Sequence, residues 1–134
     1  MIKRFVDNWE KYKNDLENYF RTTPQVEYNT YRKILEALFR IVINRDDSYS
    51  FDLDDITVID SGEYQGSLIF ILHLDTYQPI PTEHLYTFVY YGSCSCCDTL
   101  KGIHEYDEGL PDEKQIREYM FLAVHMLQKC KFLE

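Results

Sequence analysis

Three of the chain's four cysteines stand within four positions of the segment YYGSCSCCDTL, residues 90–100. Cys94, Cys96 and Cys97 offer C-x-C and C-x2-C spacing together. A tight turn with that spacing can aim two thiolates at one tetrahedral ion such as zinc. A closed structural site takes four ligands, and only one cysteine cluster is present. His73 and His104 are the expected additional donors, His104 by its nearness in sequence and His73 through the sheet. Two other readings stay open. Cysteines pack like small hydrophobes where a strand turns into the next segment. Alternatively, Cys94-x-x-Cys97 between a strand and a short helix suits a thiol-dependent enzyme, working by redox exchange or as a cysteine nucleophile. No βαβ unit precedes the motif, and only Lys101 follows where a phosphatase loop would place arginine.

The carboxylates form the second group with chemical potential. Residues 1–45 hold nine Lys/Arg against six Asp/Glu, whereas residues 46–113 hold fifteen acids and one base, Lys101. From Asp46 to Leu100 there is neither lysine nor arginine. Asp52, Asp54, Asp55 and Asp60 match no EF-hand loop, because the required glycine and glutamate do not follow. They read instead as a charged strand edge that resists edge-to-edge pairing. So acidic a stretch does not bind DNA or RNA directly, since phosphates need cations to neutralise them. It suits a protein with a basic surface. Asp54, Asp55, Asp60, Tyr64 and Tyr77 are the expected contacts, tyrosine being common where binding energy concentrates.

These groups must be held by an α+β domain spanning 1–134. Ile2, Phe5, Val6, Trp9, Tyr12, Leu16, Tyr19 and Phe20 recur at helical spacing and predict a helix over 2–20. Thr23-Pro24 suits the cap and first position of a second helix. The stripe of that helix is Tyr31, Ile34, Leu35, Leu38, Phe39 and Val42, and it stops near NRDDSYS. The period then falls to two. DITVID, SLIFILHLD and LYTFVYY read as a three-stranded antiparallel meander, with hairpin chemistry in SGEYQG. A Cys-rich turn follows, with Asp98 or Ser95 capping a short helical turn. Asp112-x-x-Gln115 opens a C-terminal helix over about 113–131, packed on the sheet. His125 on that helix reads as structural.

The segments EYQGSLIF, DTYQP, YYGSCSCCDTL and GLPDEKQIREYM together resemble a group of small proteins encoded by tailed bacteriophages. The resemblance covers roughly residues 55–130 and is most specific at YGSCSxCDTL. In that group the position of Cys96 is often glycine, so the shared element is Cys94-x-x-Cys97. The resemblance implies a phage protein acting in a bacterial host and brings no catalytic residues with it.

Composition bounds the rest. Apolar residues make up 45% of the chain and aromatics 16%, too much for disorder and enough for a core. No apolar run reaches the eighteen or so residues of a membrane span. The N-terminus lacks the apolar region of a signal peptide, so a reducing cytoplasm and free thiols are expected. The sequence therefore predicts a non-enzymatic, acidic phage-type interaction protein that binds and modulates a host protein. Such a target would have a basic surface, as nucleic-acid-handling and defence proteins do.

Overall fold

The computed structural model describes residues 2–46, 49–62, 65–93, 98–104 and 109–133. Helix α1 runs Lys3–Thr22 and buries Phe5, Leu16 and Phe20, while Ile2, Trp9, Tyr12 and Tyr19 pack at the margin of the core. Pro24 is extended (φ −59°, ψ 143°) and leads into a single 3-10 turn, Gln25–Tyr28, instead of starting the second helix. That start moves to Tyr31, where the Thr30 side chain accepts from the Lys33 amide at 3.2 Å. A threonine seven residues further on thus supplies the cap expected at Thr23.

Helix α2, Tyr31–Leu38, widens into a π turn over Phe39–Ile43, closed by the Asn44 amide on the Phe39 carbonyl at 2.7 Å. The turn leaves carbonyls that need donors, and Asn8 of α1 supplies its Nδ2 to Val42 and Ile43. Asn44 then holds the chain beyond. Its side-chain nitrogen donates to the Phe51 carbonyl at 2.9 Å and its side-chain oxygen accepts from the Phe51 amide at 2.8 Å.

The sheet corrects the expected three-stranded meander: it has four antiparallel strands in the order β1-β2-β3-β4. β1 is Thr57–Asp60, β2 Gly66–His73, β3 His84–Tyr91 and β4 Lys131–Phe132. The fourth strand begins at Lys131, the residue expected to end the C-terminal helix. Helix α4 runs Glu113–Gln128, three residues short of that expectation, and Cys130 is buried after it. Lys131 and Phe132 then pair with Tyr86 and Leu85. A two-residue strand carries too little alternation to be read from sequence; the open edge of β3 makes it.

Four α-helices occur among the described residues. The third, α3, spans Thr99–His104. The Asp112–Gln115 capping box at the start of α4 forms in both directions, at 2.8 and 2.9 Å. Phe70, Leu72, Leu85, Thr87 and Val89 bury one sheet face beneath the helices, and the buried Thr87 hydroxyl donates to the Met126 carbonyl of α4 at 2.6 Å. Ile69, Ile71, Tyr86 and Phe88 alternate onto the other face and stay partly exposed. No helix among the described residues is long and apolar enough to cross a membrane.

Candidate metal centre and acidic loop

Strand β2 is paired along its outer edge twice. Thr57 of β1 partners Ile71, and Phe51 makes an isolated bridge to Leu74. Between those pairings one side has five residues, 52–56, and the other two, 72 and 73. The surplus is thrown outward as a loop, DLDD. Phe51 and Ile56 at its ends are buried and Leu53 leans on the core, so the aspartates between them turn outward. The Asp52 amide donates to the His73 carbonyl at 3.0 Å, which lays the loop over that histidine. Asp52 also shapes the loop through its Oδ1, which accepts from the Asp54 amide at 2.9 Å.

Asp52, Asp55 and His73 consequently form a cluster that can chelate a metal ion, their ligand atoms all lying within 4.8 Å of one another. His73 Nε2 is 2.9 Å from Asp55 Oδ2 and 4.0 Å from Asp52 Oδ2. A tetrahedral ion with bonds of about 2.1 Å separates its ligand atoms by about 3.4 Å, between those two distances. The imidazole is preset for this use. Its Nδ1 lies 2.9 Å from the Leu74 carbonyl, which can only accept, so the neutral ring carries its hydrogen there and presents Nε2. The His73 side chain is 15% exposed and Asp55 74%, so the ring forms the floor and the carboxylate the mouth.

The same bond to Leu74 raises the His73 pKa above its ordinary value of 6.5; the Asp55 and Asp52 carboxylates add to this and partial burial opposes it. In the metal-free protein this contribution to stability is fully present below about pH 6.5 and is lost as pH rises through the higher folded value. A metal ion would take the proton's place.

Other sequence-predicted residues fall elsewhere. The register pairs His73 with His84 at one end of the sheet and Gly66 with Tyr91 at the other. Seven steps of about 3.3 Å separate His73 from the end where Gly92 leads into the cysteine segment, roughly 23 Å. His104 is on the Gly92 side, where it lines a cavity of about 580 Å³ with Val58, Leu68, Phe70, Tyr91 and Leu100. Cys94, Cys96 and Cys97 lie outside the described residues, as does Tyr64.

Asp54 and Asp55 are exposed on the loop, and Tyr77 is 92% exposed just beyond β2. Asp60 closes the β1–β2 hairpin instead, accepting from the Tyr91 hydroxyl and, at 3.0 Å, from the Gly62 amide. The Tyr91 bond chiefly holds its carboxyl below the ordinary range. Its contribution to stability is therefore present above about pH 4 and disappears as pH falls through the lowered value.

Sequence reasoning found His73 and Asp55 but gave them to different sites, and it passed over Asp52 as a ligand. The alternation F-D-L-D-D-I was the available signal, yet nothing in it points to His73. The fourth cysteine, Cys130, is buried, and burial pushes its thiol up to about 12. We expect Cys130 to resist alkylation in the native protein at pH 8 and to react at an ordinary rate in urea, as peptide mapping after iodoacetamide labelling would show. Equal labelling in both states would contradict its burial.

Comparison with known proteins gives no match, whether to a family model, a curated protein or a solved structure.

Proposed function

We propose that this chain is a non-enzymatic interaction protein, made in the bacterial cytoplasm during phage infection, that docks its acidic side on a basic surface of a host protein. We propose also that the ion taken by Asp52, Asp55 and His73 is zinc, with a structural role. The observation that carries the reading is the looped-out DLDD segment. It presents Asp54 to solvent, in a stretch from 46 to 100 with no lysine or arginine to neutralise it, and Tyr77 is 92% exposed four residues beyond His73. Exposed charge of one sign steers association and selects partners. An anchoring tyrosine adds contact area at little entropic cost. An ion bridging the loop to His73 would hold that surface in one conformation. A groove built for nucleic acid on a host enzyme has the complementary charge, and the resemblance to phage proteins supplies the setting.

The test is kinetic. The partner is captured from bacterial lysate, eluted by a salt gradient, and its association rate measured against wild type and two variants. Asp54→Asn leaves the metal cluster and the Asp60 hairpin contacts intact and should slow association about threefold at low ionic strength, with the difference vanishing at about 0.5 M salt. Lys3→Gln with Lys11→Gln on α1 should leave the rate unchanged. Free DNA should compete for the partner without binding this chain. Equal rates for wild type and the aspartate variant at low salt would reduce the loop to solvated surface.

A further inference from the structure

We infer that His84 is the fourth ligand, so that the ion is held tetrahedrally by Asp52, Asp55, His73 and His84. This rests on the zinc reading above and goes beyond the three-residue cluster. His84 opens β3 directly opposite His73, and the two rings lie on the same sheet face with centroids 5.7 Å apart. Two imidazoles bound through Nε2 to one tetrahedral ion place their centroids about 5.2 Å apart, given bonds of about 2.0–2.1 Å. The observed pair is about half an ångström from that spacing.

The hydrogen bonding of His84 repeats that of His73. Its Nδ1 lies 2.9 Å from the Ile80 carbonyl, so the neutral ring places its hydrogen on Nδ1 and presents Nε2. The two cross-strand histidines are each anchored through Nδ1 on a backbone carbonyl, which leaves Nε2 as the available ligand atom of each. His84 stands outside the 4.8 Å cluster of Asp52, Asp55 and His73, so the ion would draw its ring inward on binding. Backbone carbonyls of this kind fix the tautomer and orientation of metal-bound histidines. The charge balance agrees as well. Two carboxylates and two neutral imidazoles match a divalent cation, leaving a neutral centre that costs little to desolvate against the sheet. Four nitrogen and oxygen ligands also complete the closed tetrahedron that structural zinc requires, where three would leave a position open to water.

Cobalt(II) serves as the probe because its visible absorption reports coordination number, and zinc then competes for the same site. The cysteine segment is a rival thiolate site, so the background protein carries Cys94→Ser, Cys96→Ser and Cys97→Ser. That chain should bind one cobalt with the intense visible bands of a tetrahedral oxygen and nitrogen set, displaced by one zinc. His84→Gln should weaken binding by more than about 100-fold and reduce the visible bands to those of a higher-coordinate ion, since loss of even an outer hydrogen-bonding partner costs about 10–100-fold. His73→Gln should abolish binding, and His125→Gln on α4 should change nothing. Metal-free melting temperatures should be alike for background and His84→Gln proteins, showing that the fold survives. If the background protein binds one ion and His84→Gln binds it equally, with the same spectrum, His84 is not a ligand and the three-residue site stands without it. If the background protein binds no ion at all, the zinc reading itself falls and takes this inference with it.

Discussion

Replacing Asp98 by alanine is expected to lower the unfolding free energy by about 4 kcal/mol, measured by urea denaturation. Asp98 is 5% exposed and stands at the exit of the cysteine segment. Its Oδ1 accepts from the Tyr31 hydroxyl at 2.8 Å and from the Lys101 amide at 3.1 Å. Its Oδ2 accepts from the Gly92 amide at 3.0 Å. The Tyr31 hydroxyl in turn accepts from the Leu100 amide at 3.2 Å. One carboxylate thus ties the end of β3 to the start of α2 and caps α3.

Alanine would leave the Tyr31 and Gly92 donors buried without an acceptor, at about 1–3 kcal/mol each, and α3 without its cap. An asparagine side chain would keep one oxygen, so Asp98→Asn should cost about half as much. Tyr31→Phe should cost about 1–2 kcal/mol. In a double-mutant cycle the Asp98 and Tyr31 changes should fall short of additivity, because they break one shared bond. An Asp98→Ala loss below about 1 kcal/mol would mean that water reaches these donors and the network is not buried.

Phe20→Ala is expected to cost about 4 kcal/mol as well, for a different reason. Phe20 is fully buried where α1, the 3-10 turn and α4 meet. Its ring lies 4.9 Å from that of Tyr28 and 5.3 Å from that of Tyr119, stacked on the latter at 26°. Tyr119 is pinned by its hydroxyl, which donates to Gln25 Oε1 at 2.7 Å, and the Tyr28 hydroxyl is 2.8 Å from the Phe20 carbonyl. Neighbours fixed by hydrogen bonds cannot close over the hole, so the change incurs both the lost transfer energy and the cavity, about 3–5 kcal/mol. Against a typical total of about 5–15 kcal/mol, that removes a large share of the stability. Phe121→Ala on α4, where the ring is 63% exposed, should shift stability by no more than about 0.5 kcal/mol. Similar losses at Phe20 and Phe121 would show that the aromatic cluster is not the centre of the core.

The helices were legible because their information is local. A stripe at 3.6-residue spacing specifies an amphipathic helix without reference to anything distant, and Ile34, Leu35, Leu38, Phe39 and Val42 are buried as their spacing predicts. The Asp112-x-x-Gln115 box is equally local, since all its bonds close within four residues. Strands β2 and β3 were legible for the same reason, through alternation and β-branched or aromatic composition. What was misread depended on competition between alternatives. Thr23 and Thr30 are both credible caps, and the extended Pro24 decided for the second. Lys131 and Phe132 continue a helical pattern acceptably, but the open edge of β3 offered backbone partners and took them.

Periodicity and charge are properties of neighbouring residues, so an acidic α+β chain, its helical stripes and the strands β1 to β3 could be read along the chain. Which charged and imidazole groups meet is a property of the assembled sheet. Asp52 and Asp55 reach His73 because two pairings on one edge of β2 differ by three residues, and the excess must loop outward. His84 stands beside His73 because antiparallel register pairs the last residue of β2 with the first of β3. The same register sends Tyr91 and the adjoining Gly92 to the far end of the sheet. Side chains eleven to twenty-one positions apart are brought together by backbone pairing, and pairing is set by the whole sheet and the core beneath it.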